Sequence, residues 1–205
     1  MTQLAARIDA RAERLLRSFR GWSVVNIREI VLVSLEALGI PYFITGSDAL
    51  ILLGTGRSTA DMDVVVELEP DGYDRLLRPR LEAAGAYVAD LLRQKDRAVG
   101  QASLGPAWVD IIMPADSPWG RACFERRLRL FDQGLGAAVW VISPEDLVIA
   151  KLLWDPDRAG RQFEDVVGLL RDVEVDIAYL TAAAGQSGVP GQFERALEKA
   201  GRGRG

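Results

Sequence analysis

The chain is expected to fold as an α+β protein. Short apolar runs of strand type alternate with segments of helical period from residue 26 onward, glycine and proline punctuate the junctions, and the stretch after residue 143 is helical in pattern. At the start, Leu4, Ile8, Ala12, Leu15 and Leu16 share one face of an opening helix. A second helix is predicted over 26–38, with Ile30, Val31, Leu35 and Leu38 apolar and Gly39 as its stop. Residues 41–45 read as a strand, and Gly46-Ser47-Asp48 leads into a short apolar helix over 49–53 closed by Gly54 and Gly56. Residues 62–68 are a strand and 70–84 a helix opened by Pro70. Strands are predicted at 87–89, 98–104 and 108–113, ended by Pro114 and Pro118. Two late strands, 128–131 and 138–142, bracket a turn at Gly134 and Gly136. Ser143-Pro144-Glu145 then caps the first of four helical stretches, 147–154, 163–170, 177–184 and 193–199, and a glycine-rich tail follows.

With 205 residues and 49% hydrophobic content the chain is long enough to bury a sizeable core, and we expect one unit over 1–205, with a core of about 26–142 and a helical segment of about 143–200. A net charge of -4 gives no overall drive toward nucleic acid. The one cysteine, Cys123, excludes an internal disulfide, and residues 1–20 lack the apolar core of a signal peptide. No apolar stretch is long enough to span a bilayer, so a cytoplasmic location is expected.

Histidine is absent. That excludes the Ser-His-Asp triad, the Cys-His dyad and imidazole zinc sites, and a lone cysteine excludes thiolate ones. Carboxylates, hydroxyls, arginines and the lysines Lys95, Lys151 and Lys199 remain, a set suited to hard metals and phosphate groups.

Asp61 and Asp63, spaced by two at the start of an apolar strand-type run, share one strand face. Buried carboxylates need water or a cation, which makes the pair a candidate site for a divalent metal; pairing to arginines in a structural network is the alternative. Asp110 is a third acid in an apolar strand, either a third ligand if its strand lies beside the first or an edge residue facing water. Upstream, Gly46-Ser47 between a strand and a helix offers backbone amides and a hydroxyl to an anion, or serves only as a turn and cap. Arg57, with Thr59 beside it, is placed for a charge-assisted bond to phosphate. Lys151 either joins that chemistry or lays its stem over the core with its charge in water.

In this order, Gly46-Ser47, Arg57, Thr59, Asp61 and Asp63, then Asp110, the segment Ser143 to Lys151 and the helix from Arg161 to Leu170, the chain resembles the nucleotidyltransferases of the polymerase beta type, and most of all the AbiEii-like and minimal bacterial members. The resemblance implies a mixed β-sheet flanked by helices and Mg2+-dependent (or Mn2+-dependent) transfer of a nucleoside monophosphate from a nucleoside triphosphate such as ATP. The acceptor it implies is an RNA such as tRNA, a protein or a small molecule. It further implies that Asp61, Asp63 and Asp110 hold metal and that Gly46 and Ser47 hold the terminal phosphates, with Arg57, Thr59 and Lys151 assisting. Relatives of this kind serve in toxin-antitoxin or phage-defence pairs, so an antitoxin is an implied partner. Asp48 after Ser47, and Gln162 where an acid is common, depart from the pattern. They support the second reading, a chain that keeps the fold as a binding or regulatory protein without the chemistry.

Overall fold

The computed structural model describes residues 26–56, 61–154 and 160–202. Among these, eight strands and a larger set of helices alternate along the chain, as the alternating periodicities predict, and the strands pair both parallel and antiparallel, as the resemblance implies. The chain gathers into two compact units, one from the described residues of Met1–Phe43 and Ala60–Phe124, the other from those of Ile44–Thr59 and Glu125–Gly205.

The described part of the first unit begins with helix α1 (Ile27–Leu38). Asn26 caps it by accepting from the Glu29 amide, Glu29 returns a bond to the Asn26 amide, and Gly39 ends it at φ 67°. Such a cap contributes about 1 kcal/mol. Strand β1 (Tyr42–Thr45) follows and enters helix α2 (Gly46–Leu52), both described with the second unit below. Strand β2 (Asp61–Val66) leads through α3 (Pro70–Gly72), a π-helical turn over Tyr73–Leu77 and α4 (Arg78–Ala83). One continuous helix was expected over 70–84; the π turn interrupts it where the Tyr73 ring packs on the sheet. Next come β3 (Tyr87–Val88), the unforeseen β4 (Leu92–Arg93), β5 (Arg97–Leu104) and β6 (Ala107–Pro114). Helix α5 (Pro118–Arg126) was also unforeseen. Pro114 ends the strand as expected, but Pro118 opens a helix, because Ser117 accepts from the Gly120 amide and a first-turn proline loses no needed donor.

The strand order in this unit is β3-β5-β6-β2, with β4 on β5. β2 and β6 are parallel; β5 runs antiparallel to both β6 and β3. One face is apolar: Met62, Val64 and Val66 alternate along β2 and Val109, Ile111 and Met113 along β6, all buried, and α1 packs against this part of the sheet. Gly100 on β5 is required by contact, since a Cβ there would lie 2.5 Å from Cζ of Tyr73. The Tyr73 hydroxyl is buried with no hydrogen-bond partner among the described residues, and burial pushes its pKa up to about 12. The fold therefore holds this proton more tightly than the unfolded chain does, so its contribution is intact below the ordinary tyrosine value and is lost as pH rises through the folded one. Tyr73→Phe is expected to leave stability at neutral pH unchanged or raised, and to flatten the alkaline decline. Urea unfolding at about pH 8 and about pH 11 checks both.

In the second unit, β7 (Leu128–Asp132) and β8 (Ala137–Val141) form an antiparallel pair, and β8 runs parallel to the end of β1 with Ile44 opposite Val141. Helices α6 (Pro144–Trp154), α7 (Arg161–Asp172), α8 (Ile177–Gln186) and α9 (Pro190–Lys199) complete it. Leu147, Val148, Leu152, Val166, Leu169, Leu170, Leu180, Phe193 and Ala196 are buried among these helices. No helix of the described residues is long and apolar enough to cross a membrane.

Candidate functional site

The strand alternation that buries Met62, Val64 and Val66 turns Asp61 and Asp63 to the other face of β2, where Asp61 is exposed and Asp63 half-buried. The parallel register sets Asp63 opposite Asp110 and Asp61 opposite Trp108. All three predicted acids thus share one sheet face of the first unit, on adjacent strands, as the metal reading requires. The premise of a buried pair is corrected, because this face is open, so desolvation does not by itself demand a cation. What remains is like-charge repulsion: strand neighbours lie about 4.8 Å apart, and two carboxylates at that range repel by roughly 1–4 kcal/mol depending on how much water screens them.

The side chains as placed do not form a three-ligand cluster: among the described residues no group of three or more acid, histidine or cysteine side chains is arranged to hold a metal. Asp110 Oδ1 instead accepts from Gln101 Nε2 at 2.9 Å. Asp61 is also tied through its backbone, its carbonyl accepting from the Arg28 guanidinium at 3.4 Å. The donor chemistry, carboxylate oxygens without nitrogen or sulfur on an open face, fits a hard divalent cation. Sequence reasoning missed Gln101 and left Trp108 unassigned, yet both lie on this face; the alternation Ala98, Gly100, Ala102 signalled the first and Val109, Ile111, Met113 the second, while register carries no sequence mark. A cavity of about 310 Å³ lies at the other end of β2, lined by Val66, Glu69, Asp116, Ser117, Arg121 and Phe124. It is roughly 17 Å along the strand from Asp61 and contains none of the three acids.

The other predicted positions belong to the second unit or lie outside the description. Gly46 takes φ 64°, a left-handed conformation that explains glycine at the join of β1 and α2. Thr45, the N-cap, makes no side-chain cap bond, so the amides of the first turn, including that of Ser47, are not capped from there. Asp48 in that turn is 6% exposed and turned inward, where a negative charge complements the helix dipole. Arg57 and Thr59 fall outside the described residues. Lys151 is only 4% exposed, which overturns the reading of a stem on the core with its charge in water. Its Nζ donates to Gln162 Oε1 at 2.7 Å and Asp165 Oδ2 at 2.9 Å. Gln162, a departure from the family pattern, is therefore a partner of Lys151.

Helix α6 carries Lys151 and is anchored by a second buried carboxylate. Asp146, fully buried, accepts from Arg126 at 3.0 and 2.5 Å, from Ser143 Oγ at 2.9 Å and from the Tyr179 hydroxyl at 2.9 Å. Ser143 Oγ in turn accepts from the Asp146 amide, and the Arg126 guanidinium stacks over the Tyr179 ring.

No protein-family model matches the chain, and no curated protein matches it. Solved structures do. The solution structure of the antibiotic-resistance factor ANT(2″)-Ia is similar at 16% identity and TM-score 0.52, over 84% of this chain and 93% of that one. The crystal structure of ANT(2″)-Ia in complex with adenylyl-2″-tobramycin is similar at 15% identity and TM-score 0.57, over 78% and 94%. An antigenic nucleotidyltransferase-like protein from Paracoccidioides brasiliensis aligns at 19% identity and TM-score 0.47, over 85% and 93%. At such identities the likeness speaks to architecture alone: the chain shares the fold of ANT(2″)-Ia.

Proposed function

We propose that the chain is a metal-dependent nucleotidyltransferase that moves a nucleoside monophosphate from a nucleoside triphosphate to an acceptor hydroxyl. The observation that carries this is the register of β2 and β6, which sets Asp63 beside Asp110 with Asp61 on the same open face. The shared fold supports it. In the reaction a bond forms between the acceptor oxygen and the α-phosphorus, the bond from that phosphorus to the pyrophosphate oxygen breaks, pyrophosphate departs, and the hydroxyl proton passes to solvent. Asp61 and Asp63 would hold Mg2+ or Mn2+, and Asp110 would complete the acid set on the acceptor side. A divalent ion bound there supplies charge neutralisation at the attacking and leaving oxygens, a task that needs no histidine.

The first-turn amides at Gly46 and Ser47, with Arg57 and Thr59, are proposed to take the terminal phosphates. Lys151 is assigned an indirect part, since Gln162 and Asp165 already occupy two of its three donors. The acceptor class favoured first is a small molecule with ring hydroxyls, in line with the adenylylated tobramycin bound by ANT(2″)-Ia. That no three-carboxylate cluster forms among the described residues favours a second reading, a nucleotide-binding protein of the same fold without transfer.

The test mixes the protein with Mg2+, each α-labelled nucleoside triphosphate and a panel of aminoglycosides, bulk tRNA and bulk protein. Label transfer that is lost in Asp61→Asn and Asp63→Asn supports the proposal. Transfer that survives both substitutions sinks the metal assignment, and magnesium-dependent nucleotide binding without transfer selects the second reading. A toxin role rests on the same chemistry: induced expression would arrest growth, and Asp63→Asn would restore it. Arrest by both proteins alike would contradict that role.

A further inference from the structure

The acid face of the first unit continues onto β5. Gln101 lies opposite Asp110 across the antiparallel β5–β6 pair, and Asp110 lies opposite Asp63 across the parallel β6–β2 pair. The three side chains therefore form a row across three strands, Gln101, Asp110, Asp63, with Asp110 in the middle. Gln101 donates Nε2–H to Asp110 Oδ1 at 2.9 Å. An ionised carboxylate can only accept, so the amide end that faces it must be the donor.

We propose that Gln101 is the positioning residue for Asp110: its amide holds one carboxylate oxygen on the β5 side and leaves the other for the ion or acceptor hydroxyl on the β2 side. This rests on the reading of the acids as ion ligands given above. On an open face an unsupported aspartate rotates among its side-chain wells and is pushed by the charge of Asp63. The bond from Gln101 selects one orientation in advance, the service that outer-shell partners give to ligating carboxylates, whose removal costs 10- to 100-fold in metal affinity. Gln101 is itself exposed and packs no core, so its replacement leaves the fold intact.

Gln101→Met keeps the stem and removes the donor. Mn2+ is titrated by electron paramagnetic resonance of the free ion, in the presence of a nucleoside triphosphate analogue that cannot be cleaved, into wild type, Gln101→Met, Asp110→Asn, the Gln101→Met/Asp110→Asn double variant and Asp63→Asn. Gln101→Met is expected to weaken Mn2+ binding about tenfold or more at an unchanged unfolding midpoint, and to add nothing when Asp110 is already Asn. Wild-type affinity in Gln101→Met, or a loss that adds in full to that of Asp110→Asn, overturns the positioning role. Mn2+ binding that is absent or indifferent to Asp63→Asn overturns instead the ion-ligand reading on which this role rests, so the two failures are told apart.

Discussion

Asp63→Asn is expected to lower nucleotidyl transfer by about a thousandfold or more, equivalent to roughly 4 kcal/mol of transition-state stabilisation. The substitution is nearly isosteric, and the side chain is half-buried on an open face, so little packing is disturbed. What changes is charge. Asparagine offers a neutral carbonyl oxygen where the reaction needs a negative ligand for a hard cation, and Asp63 is the acid with neighbours on both sides, Asp61 two residues before it on the same face and Asp110 across the strand pair. Asp61→Asn is expected to act in the same direction. The loss should fall on turnover with the unfolding midpoint unchanged or raised, because removing one of two opposed carboxylates relieves repulsion. Steady-state rates together with thermal unfolding of the same preparation check both parts.

Arg126→Ala should produce the largest loss of stability. It withdraws two of the donors that hold the Asp146 carboxylate, leaving a fully buried charge on Ser143 and Tyr179 alone. Breaking a buried pair by removing one partner costs about 3–5 kcal/mol, and the partial exposure of Arg126 reduces this to roughly 2–4 kcal/mol, or a fall in unfolding midpoint of about 5–15 °C. Arg126→Lys is expected to fall between, since an ammonium keeps the charge but not the two-pronged geometry. Calorimetry of the three proteins checks the order. As α6 also bears Lys151, Arg126→Ala should disturb the bonds of Lys151 to Gln162 and Asp165 more than any surface substitution does.

Much of this fold could be read from the chain because its signals are local. Asn26 with Glu29, Gly39 and Ser143 each mark a helix end through bonds made within four residues, Pro70 marks one through its fixed φ, and the structure places helix ends at or beside them. Alternation along β2 gave the shared face of Asp61 and Asp63 for the same reason. Helix α5 was missed because Pro118 has two meanings, strand breaker and first-turn helix residue, and only the Ser117 cap decides between them. The π turn carries no local mark, and the contact of its first residue, Tyr73, with Gly100 joins residues far apart in the chain. Register was likewise out of reach: nothing in the runs around Asp110 and Gln101 says which residue each one faces, although that pairing defines the candidate site. Lys151 was misjudged in one alternative because its partners Gln162 and Asp165 sit on the next helix, and a lysine flanked by leucines looks the same whether its charge ends in water or against an acid.

The central claim is that Asp61 and Asp63 hold the ion on which nucleotidyl transfer depends. Anomalous diffraction from crystals grown with Mn2+ and a non-cleavable nucleoside triphosphate tests it most directly. The account predicts a manganese peak between the two carboxylates, about 2.1 Å from an oxygen of each, with phosphate oxygens completing the shell. A nucleotide bound with its manganese coordinated by other residues, and nothing at Asp61 and Asp63, would contradict it.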